Sequence, residues 1–365
     1  MRSTFSFLLR MLFLSLIFAA ATCELRAQTY TVTDLGVLAG DSTSAGLSVN
    51  SQGHVVGCSG APPYVCPNPN LPPAGFVWNQ QAGIQALNPP AGQDFSSPFA
   101  INDLDEVVGY SSATMNGATQ FHAVMWSDGT VRGLGTLFPK CGGGVCSTFA
   151  EAISQNELVT GCAGVPPYGN THAFLWNQKR GMLDLGTLGY GDSCGVAVNN
   201  NGAVAGWLND IAFATIGFFW TPADGMQQIY PLPGADYVSP ATGINSSNQV
   251  VGQTAYVGGD FTYFHAYLWS KGKGMTDLGV LGSGPASSQA QAINDNSQVV
   301  GWSGSSAFIW SQEQGMVDLN TLIDPNSGWV LNSANSITNN GLIAGSGMIN
   351  GESHAFLLTP KTSAH

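Results

Sequence analysis

The sequence contains few charged residues, since Asp, Glu, Lys and Arg together make up only 9% of the chain. It also lacks the Lys- and Glu-rich patterns of amphipathic surface helices, which favours an all-β fold. Basic residues are the scarcer kind, with 10 Lys and Arg against 22 Asp and Glu and a formal net charge of −12. A strongly acidic chain repels nucleic acid and anionic membrane surfaces, so we exclude nucleic acid as a partner.

Long apolar runs are missing except near the start of the chain. Arg2 and Arg10 precede an apolar stretch over 11–21, which is the layout of a secretory signal peptide. We predict a signal peptide over 1–27, with Gln28 as the first residue of the exported protein. Because 1–27 carries three arginines and one glutamate, its removal leaves a net charge of −14. The alternatives are an uncleaved anchor, for which the run is short, and lipidation of Cys23, which the preceding Thr22 fits poorly.

Several motifs of known chemistry are absent as well. The sequence has no HExxH or Walker motif, no GxGxxG in a βαβ context and no CxxC pair. A short acidic segment at 103–106 resembles part of a calcium loop but lacks the full ligand pattern. No pair of acids stands out for glycoside chemistry. We therefore predict no cofactor and no metal ion, and the sequence leans toward a protein that is not an enzyme.

What the sequence does contain is a four-part repeat, clearest over 289–322. Its pieces are AQAIN, QVVG, SAFIW and MVDLNTL, each short, apolar and bounded by Asn, Ser, Gln or Gly. Such pieces are typical of β-strands, and the short polar breaks between them are typical of hairpins. One repeat therefore predicts a four-stranded antiparallel meander.

The first piece of the repeat occurs seven times, at intervals of 44 to 52 residues. It ends at Asn50, Asn102, Ser154, Asn199, Asn245, Asn294 and Thr338. This period predicts an all-β, seven-bladed β-propeller over 28–360, followed by a short tail at 361–365. The seventh repeat lacks its fourth piece, and a matching segment at 31–38 is expected to complete that blade. If the DLG strand were innermost instead, seven whole blades would follow in register with no closing strand. We prefer the closing strand, because small residues alternate in the first strand and suit a place nearest the crowded axis.

The recurrent motifs also carry a resemblance. HAFLW at 172–176 and HAFLL at 354–358, together with AIN, VVG and GMxDLGTL, resemble the bacterial extracellular repeats of the HAF family. The resemblance covers about 30–360, although three repeats have AGFVW, IGFFW or SAFIW instead. It implies an exported repeat protein in the periplasm or outside the cell, and it implies no catalytic residues.

Six cysteines remain after removal of 1–27: Cys58, Cys66, Cys141, Cys146, Cys162 and Cys194. An even number in an exported chain predicts disulfides. Close spacing favours the first two pairs and leaves Cys162 with Cys194, although other connectivities stay open. That last pair would tie a loop of the third repeat to the linker entering the fourth. The oxidising compartment disfavours zinc binding by these residues.

The repeats differ in length at two classes of loop, which join the second strand to the third and one repeat to the next. Both classes emerge on one face of the ring, which we call the long-loop face; the other is the short-turn face. Variable loops on a rigid scaffold commonly carry function. Aromatic and acidic residues of the long-loop face are our candidate ligand-binding residues: Tyr64, Tyr110, Tyr168, Tyr190, Asp192, Trp207, Asp210, Tyr256, Asp260 and Trp302.

These features predict a monomeric, exported binding propeller that recognises a glycan or an extracellular protein. The alternatives are a carbohydrate-active hydrolase or lyase, and a purely structural envelope or matrix component. Four histidines precede Ala in the third strands of different repeats, namely His122, His172, His265 and His354. Because different blades separate them, they cannot form one site, and we expect structural cross-strand hydrogen bonds.

Overall fold

The computed structural model describes residues 28–61, 74–115, 118–138, 146–166, 170–209, 215–258, 261–282 and 286–361. Its strands form seven antiparallel sheets of four strands each. The predicted signal peptide at 1–27 lies outside the described residues. No helix in the described ranges is long and apolar enough to cross a membrane.

Each sheet is one blade, and its strands follow one another in the sequence. Strand β1 (Tyr30–Asp34) precedes the first blade. Blade 1 comprises β2 (Thr43–Val49), β3 (Val55–Gly60), β4 (Ala74–Asn79) and β5 (Gly83–Ala86). Blade 2 comprises β6 (Phe95–Ile101), β7 (Val107–Met115), β8 (Ala118–Ser127) and β9 (Thr130–Gly133). Blade 3 comprises β10 (Thr148–Ile153), β11 (Val159–Val165), β12 (Asn170–Asn177) and β13 (Gly181–Gly186).

The remaining blades repeat this order. Blade 4 comprises β14 (Asp192–Val198), β15 (Val204–Asn209), β16 (Thr215–Thr221) and β17 (Gly225–Gln228). Blade 5 comprises β18 (Tyr237–Ile244), β19 (Gln249–Gly258), β20 (Phe261–Ser270) and β21 (Gly274–Gly279). Blade 6 comprises β22 (Ser288–Ile293), β23 (Val299–Ser303), β24 (Ser306–Ser311) and β25 (Gly315–Asp318), followed by a 3-10 turn (Leu319–Leu322). Blade 7 contains β26 (Val330–Ile337), β27 (Ile343–Ile349) and β28 (Glu352–Pro360).

The N-terminal strand closes the ring, as the sequence predicts. Strand β1 is the fourth strand of blade 7 and pairs antiparallel with β28, from Tyr30 opposite Pro360 to Asp34 opposite Phe356. A backbone hydrogen bond from Lys361 N to Thr29 O, 2.8 Å long, continues this pairing. The first strand of each blade contacts the first strands of both neighbours around the whole circle, so these strands surround the axis. The structure is therefore a closed seven-bladed β-propeller.

The core consists of layers between neighbouring blades rather than one central mass. A glycine that ends the second-strand motif of the repeat makes room for these layers. Gly206 lies opposite Phe218, and a Cβ atom at Gly206 would lie 2.8 Å from the Phe218 ring. The same relation holds in blade 7 between Gly345 and Phe356. In all seven blades a Cβ atom at this glycine would clash with a first-strand carbonyl oxygen, so the glycine lets the first and second strands approach closely and also leaves room for a fully buried third-strand ring such as Phe218 or Phe356.

A ring of side-chain amides joins the blades on the short-turn face. The Asn50 Nδ2 group donates to Asn102 O, and the Asn245 Nδ2 group donates to Asn294 O, both at 3.1 Å. Where the repeat has Ser154 or Thr338 instead, an asparagine two residues later bridges to the next blade. Every junction between neighbouring blades is bridged in one of these two ways. The recurrent asparagine therefore links blades as well as ending a strand.

The histidine prediction is confirmed in three blades. The Nδ1 atoms of His172, His265 and His354 lie 2.9–3.0 Å from carboxylate oxygens of Asp184, Asp277 and Asp34 on the adjacent fourth strands. No such bond is described for His122. The acidic segment at 103–106 also has structural contacts, since Asp103 accepts from Ser51 N and Asp105 accepts from Asn50 Nδ2.

Two expectations need correction. Segments predicted as long loops, such as 110–120 and 253–263, largely continue the second and third strands as extended hairpins. The alternating side chains allow the antiparallel ladder to run on past the recurrent glycine. For the same reason, Cys162 lies within β11 and Cys194 within β14, rather than in a loop and a linker.

Candidate ligand-binding site

The site begins with a β-bulge that recurs in the first strand of every blade. In each first strand, the pairing with the second strand shifts around one residue near the end of the strand, which is left out of the ladder; β18 and β26 have a further shift earlier in the strand. Bulges re-aim a side chain, and here the re-aimed residues line the axial channel. They are Leu47, Phe99, Glu151, Val196, Thr242, Gln291 and Asn335. Residues on either side of the bulge are mostly small because they lie against neighbouring strands.

These residues form the floor of a cavity of about 690 Å³, which we call the axial cup. The cup is open toward the long-loop face, where Trp302, Gly304 and Ser305 of blade 6 form part of its wall. In blade 6 the second strand ends two residues after the recurrent glycine, sooner than in any other blade, so this strand extends least far toward the long-loop face. Cavities of this size that combine aromatic surface with a few polar groups are typical ligand sites.

Glu151 is the only acidic residue among the described residues that line the axial cup. Its side chain keeps partial access to solvent through the mouth of the cup, while the surrounding strands exclude water from its sides. This burial raises the pKa of Glu151 to about 7. No hydrogen bond to its carboxyl group is found within the described ranges. The carboxyl group is therefore available to a ligand, and its charge changes near neutral pH.

A disulfide lies beside this carboxyl group. Cys162 and Cys194 are bonded to each other and join blade 3 to blade 4, which confirms that predicted pair. Their sulfur atoms and a Glu151 oxygen all lie within 4.8 Å of one another. Disulfide sulfurs are not thiolates, so this group of three residues is not a thiolate metal centre. The disulfide instead lies beside Glu151, outside the lining of the cup, and holds β11 and β14 together there.

The remaining predicted cysteine pairs are only partly described. Cys58 and Cys146 are also disulfide-bonded. Cys66 and Cys141, their predicted partners, lie outside the described residues, and those two pairings stay predictions.

An aromatic cluster borders the cup between blades 2 and 3. Tyr110 packs against the rings of Phe95, Phe99, Phe121 and Phe149, with ring centroids 5.2–6.0 Å apart. All five rings are half-buried. Burial raises the pKa of the Tyr110 phenol; a hydrogen bond with Ser97 opposes the rise, and the nearby Glu151 carboxylate adds to it. Phe99 belongs to both the cluster and the cup, so the cluster continues the cup wall outward.

Two predicted tryptophans lie on second strands near the axis. Trp302 lines the cup, and its Nε1–H donates to Gln289 Oε1 at 3.2 Å. Trp207 lies opposite Cys194 in the register of blade 4, directly after the recurrent glycine. Trp302, Tyr110 and Trp207 occupy the same position in their repeats, which explains why all three lie close to the inner strand.

Three other predicted residues make intramolecular contacts away from the cup. The Asp192 carboxylate accepts from Thr171 N at 2.7 Å and so ties the start of blade 4 to blade 3. The Tyr190 hydroxyl lies 3.3 Å from Gln228 Oε1 on an outermost strand. Tyr256 stacks on Tyr263, with ring centroids 5.2 Å apart. None of these residues lines the described part of the cup.

Four of the predicted residues, Tyr64, Tyr168, Asp210 and Asp260, lie outside the described residues. Conversely, the sequence prediction missed Glu151, Phe99 and the polar bulge residues Thr242, Gln291 and Asn335. The sequence did contain an indication of these residues, because each lies between the small residues that occupy two alternate positions of its first strand. Those small residues indicated the axis correctly, and the residue between them is the one that faces the channel.

No protein-family model matches the chain, and no curated protein matches it. Among solved structures, the chain is similar to puromycin hydrolase, with a TM-score of 0.53 and 10% identity over 91% of this chain and 55% of that one. It is also similar to the extracellular domain of a protein described as a one-component system from B. thetaiotaomicron. That match has a TM-score of 0.52 and 9% identity, over 92% of this chain and 40% of that one.

The chain thus spans about half or less of the length of these two structures. Identities of 9% and 10% show the propeller fold alone. The similarity therefore agrees with the ring seen here, and the activity of either protein does not follow for this chain.

Proposed function

We propose that this chain is an exported, non-enzymatic propeller that binds a carbohydrate in the axial cup. The cup combines an aromatic wall at Trp302 and Phe99 with amide and hydroxyl groups at Gln291, Asn335 and Thr242. Aromatic rings stack on the apolar faces of sugar rings, while amides and hydroxyls hydrogen-bond to sugar hydroxyls. A cavity of about 690 Å³ favours a small, compact ligand over an extended protein surface.

The observation that supports this proposal most strongly is the recurrent bulge. It directs one side chain from every blade into a single cavity, and the seven repeats fill that position with different residues. A purely structural ring would be served by the same small or apolar side chain seven times. The varied, partly polar set is what recognition of an asymmetric ligand requires.

The experiment is a glycan array, followed by calorimetric titration of the strongest ligands. Trp302→Ala should weaken binding by about tenfold or more, since a buried aromatic at a ligand contributes at least this much. Tyr256→Phe is the matched control, because Tyr256 lies outside the cup and its substitution should leave binding unchanged. Absence of any bound glycan, or an equal loss in both variants, contradicts the proposal.

A carbohydrate-active enzyme is the second candidate, and Glu151 is the residue that favours it. A carboxyl group with a pKa of about 7 suits general acid catalysis near neutral pH. Glycoside hydrolases usually need two carboxyl groups, whereas the described lining of the cup carries one. Product release from an array ligand by the wild-type chain, abolished in Glu151→Gln, would establish the enzyme and reject the binding-only proposal.

Export and family membership are further parts of the proposal. We infer that the chain is an exported member of the HAF repeat family, because of its repeated HAF, AIN and VVG motifs and its Cys162–Cys194 disulfide. N-terminal sequencing of protein secreted by a bacterial host should begin at Gln28. A mature protein that retains 1–27 contradicts the predicted cleavage.

A further inference from the structure

Blade 2 lacks one side chain that the other histidine-bearing blades possess. In blades 3, 5 and 7, the third-strand histidine bonds an aspartate of the fourth strand. In blade 2 the histidine is His122, and the residue at the aspartate position is Gly133. The register establishes this equivalence, since Gly133 lies opposite Val124 as Asp184 lies opposite Phe174.

The backbone around the missing side chain is the same as in the complete blades. Leu134 N donates to Ala123 O at 2.9 Å, as Leu35 N donates to Ala355 O at 3.0 Å in blade 7. Gly135 has a φ of +86°, close to the +71° of its counterpart Gly36.

In the complete blades, the aspartate carboxylate also accepts from the backbone N–H two residues later. These bonds run from Gly36 to Asp34, from Gly186 to Asp184 and from Gly279 to Asp277, at 2.7–2.8 Å. Blade 2 therefore retains the two donors, His122 and the Gly135 N–H, at equivalent positions. What it lacks is the carboxylate that accepts from them.

The place of the carboxylate is open. A Cβ atom at Gly133 would have no described neighbour within 4 Å. A cavity of about 400 Å³ lies there, lined by His122, Gly133, Gly135, Ser111 and Gln93 among others. The Ser111 hydroxyl and the Gln93 Oε1 atom are buried and have no described hydrogen-bond partner. Ser111 is fully buried, at 0% exposure, and lies opposite His122 in the register.

Unpartnered buried polar groups are costly, so a ligand that supplies their partners is favoured. The Ser111 hydroxyl can donate to an anion, and so can the Gln93 amide when its oxygen and nitrogen exchange places. Together with His122 and Gly135, four donors then converge on the position that an aspartate carboxylate holds in other blades.

We propose that this lateral cavity of blade 2, which we call the blade 2 pocket, binds the carboxylate group of a small molecule. The ligand carboxylate replaces the missing aspartate side chain, accepting from His122 Nδ1 and Gly135 N with Ser111 and Gln93 beside them. This site is separate from the axial cup, because it is lined by the second to fourth strands of blade 2 and the segments just before and after that blade, and shares no lining residue with the cup. The proposal does not depend on carbohydrate binding in the cup.

The test uses acetate as the probe and the imidazole NMR signals of His122 as the readout, in the full exported chain. Acetate should shift these signals in a saturable manner, whereas acetamide, its uncharged analogue, should not. Comparison of D-glucuronate with acetate shows whether a sugar acid is held more tightly than acetate alone, and glucose is its uncharged control.

Two variants make the test specific. Gly133→Asp places the chain's own carboxylate in the pocket and should weaken acetate binding by about tenfold or more. Asp184→Gly removes the carboxylate in blade 3 but leaves only His172 and Gly186 N as donors, since Ala163 stands where blade 2 has Ser111, so His172 should respond to acetate more weakly than His122. If His122 does not respond to acetate, or responds equally in wild-type and Gly133→Asp, the proposal is wrong. Should Gly133→Asp fail to fold, His122 signals that shift equally with acetamide and with acetate overturn it independently.

Discussion

The electrostatics of the cup can be tested through Glu151. Burial raises its pKa from an ordinary value of 4.5 to about 7. A tenfold change in proton affinity corresponds to about 1.4 kcal/mol, so this difference corresponds to about 3 kcal/mol. The folded state holds the proton more tightly than the unfolded state, so the free energy of unfolding falls as the pH rises through this range. The loss begins near the unfolded-state pKa and is complete above a pH of about 7.

Glu151→Gln keeps the shape of the side chain and removes the ionisation. The variant should gain stability relative to wild type as the pH rises, with little pH-dependent gain near pH ~4 and about 3 kcal/mol near pH ~8. Denaturant unfolding at both pH values measures the difference. Glu313→Gln is the control, since it removes the same charge from an exposed hairpin away from the channel.

A direct measurement accompanies the stability series. Carbon NMR of the Glu151 carboxyl group should show a titration midpoint of about 7. A midpoint near 4.5, together with a stability difference that does not change with pH, would refute the claim that burial in the cup desolvates the Glu151 carboxyl group.

Three further predictions concern the ring itself. Asn245→Ala removes four hydrogen bonds of a buried amide and should cost about 2–4 kcal/mol of unfolding free energy in denaturant titration. Replacement of both Cys162 and Cys194 by Ala opens a loop with a sequence separation of 32 residues and should cost ~3–4 kcal/mol in the same assay. Gly345→Ala places a methyl group against the Ser333 carbonyl oxygen and the Phe356 ring and should cost about 3 kcal/mol, measured as a lower unfolding midpoint.

Each of these has a matched comparison. Gln312→Ala, at an exposed turn position, is the control for the amide ring and should change stability by less than about 0.5 kcal/mol. An equal effect of Gln312→Ala and Asn245→Ala would contradict a structural role for the ring. Unchanged stability without the disulfide would mean that contacts between blades 3 and 4 suffice alone. An unaffected Gly345→Ala would show that both the Phe356 ring and the first strand at Ser333 can move aside.

The ring could be predicted because its signals are periodic. The blades are defined in the sequence by strand-forming pieces in a fixed order. A recurrent glycine and the spacing of Asn50, Asn102 and their counterparts define them as well. The match between 31–38 and the fourth-strand motif also located the closing strand. Because the same pieces recur seven times, each repeat supports the same fold independently.

The site was harder to predict because it depends on where the repeat differs. Loop length and aromatic content favoured residues such as Tyr190 and Asp192, which anchor linkers by hydrogen bonds within the chain. Glu151 lies between two small residues in the sequence. Only the β-bulge shows that its side chain points into the channel, so the sequence alone could not predict this. In blades 2 and 5 the second and third strands also extend past the recurrent glycine, so the loops predicted there were too long.

The central claim is that the cup on the long-loop face is where this propeller binds its ligand. A crystal structure of the chain with its strongest array glycan tests this most directly. We predict sugar density inside the cup, with one ring stacked on Trp302 and a hydroxyl within hydrogen-bonding distance of Glu151 or Gln291. Density on the short-turn face or along the outer strands, with the cup holding only solvent, would contradict the claim.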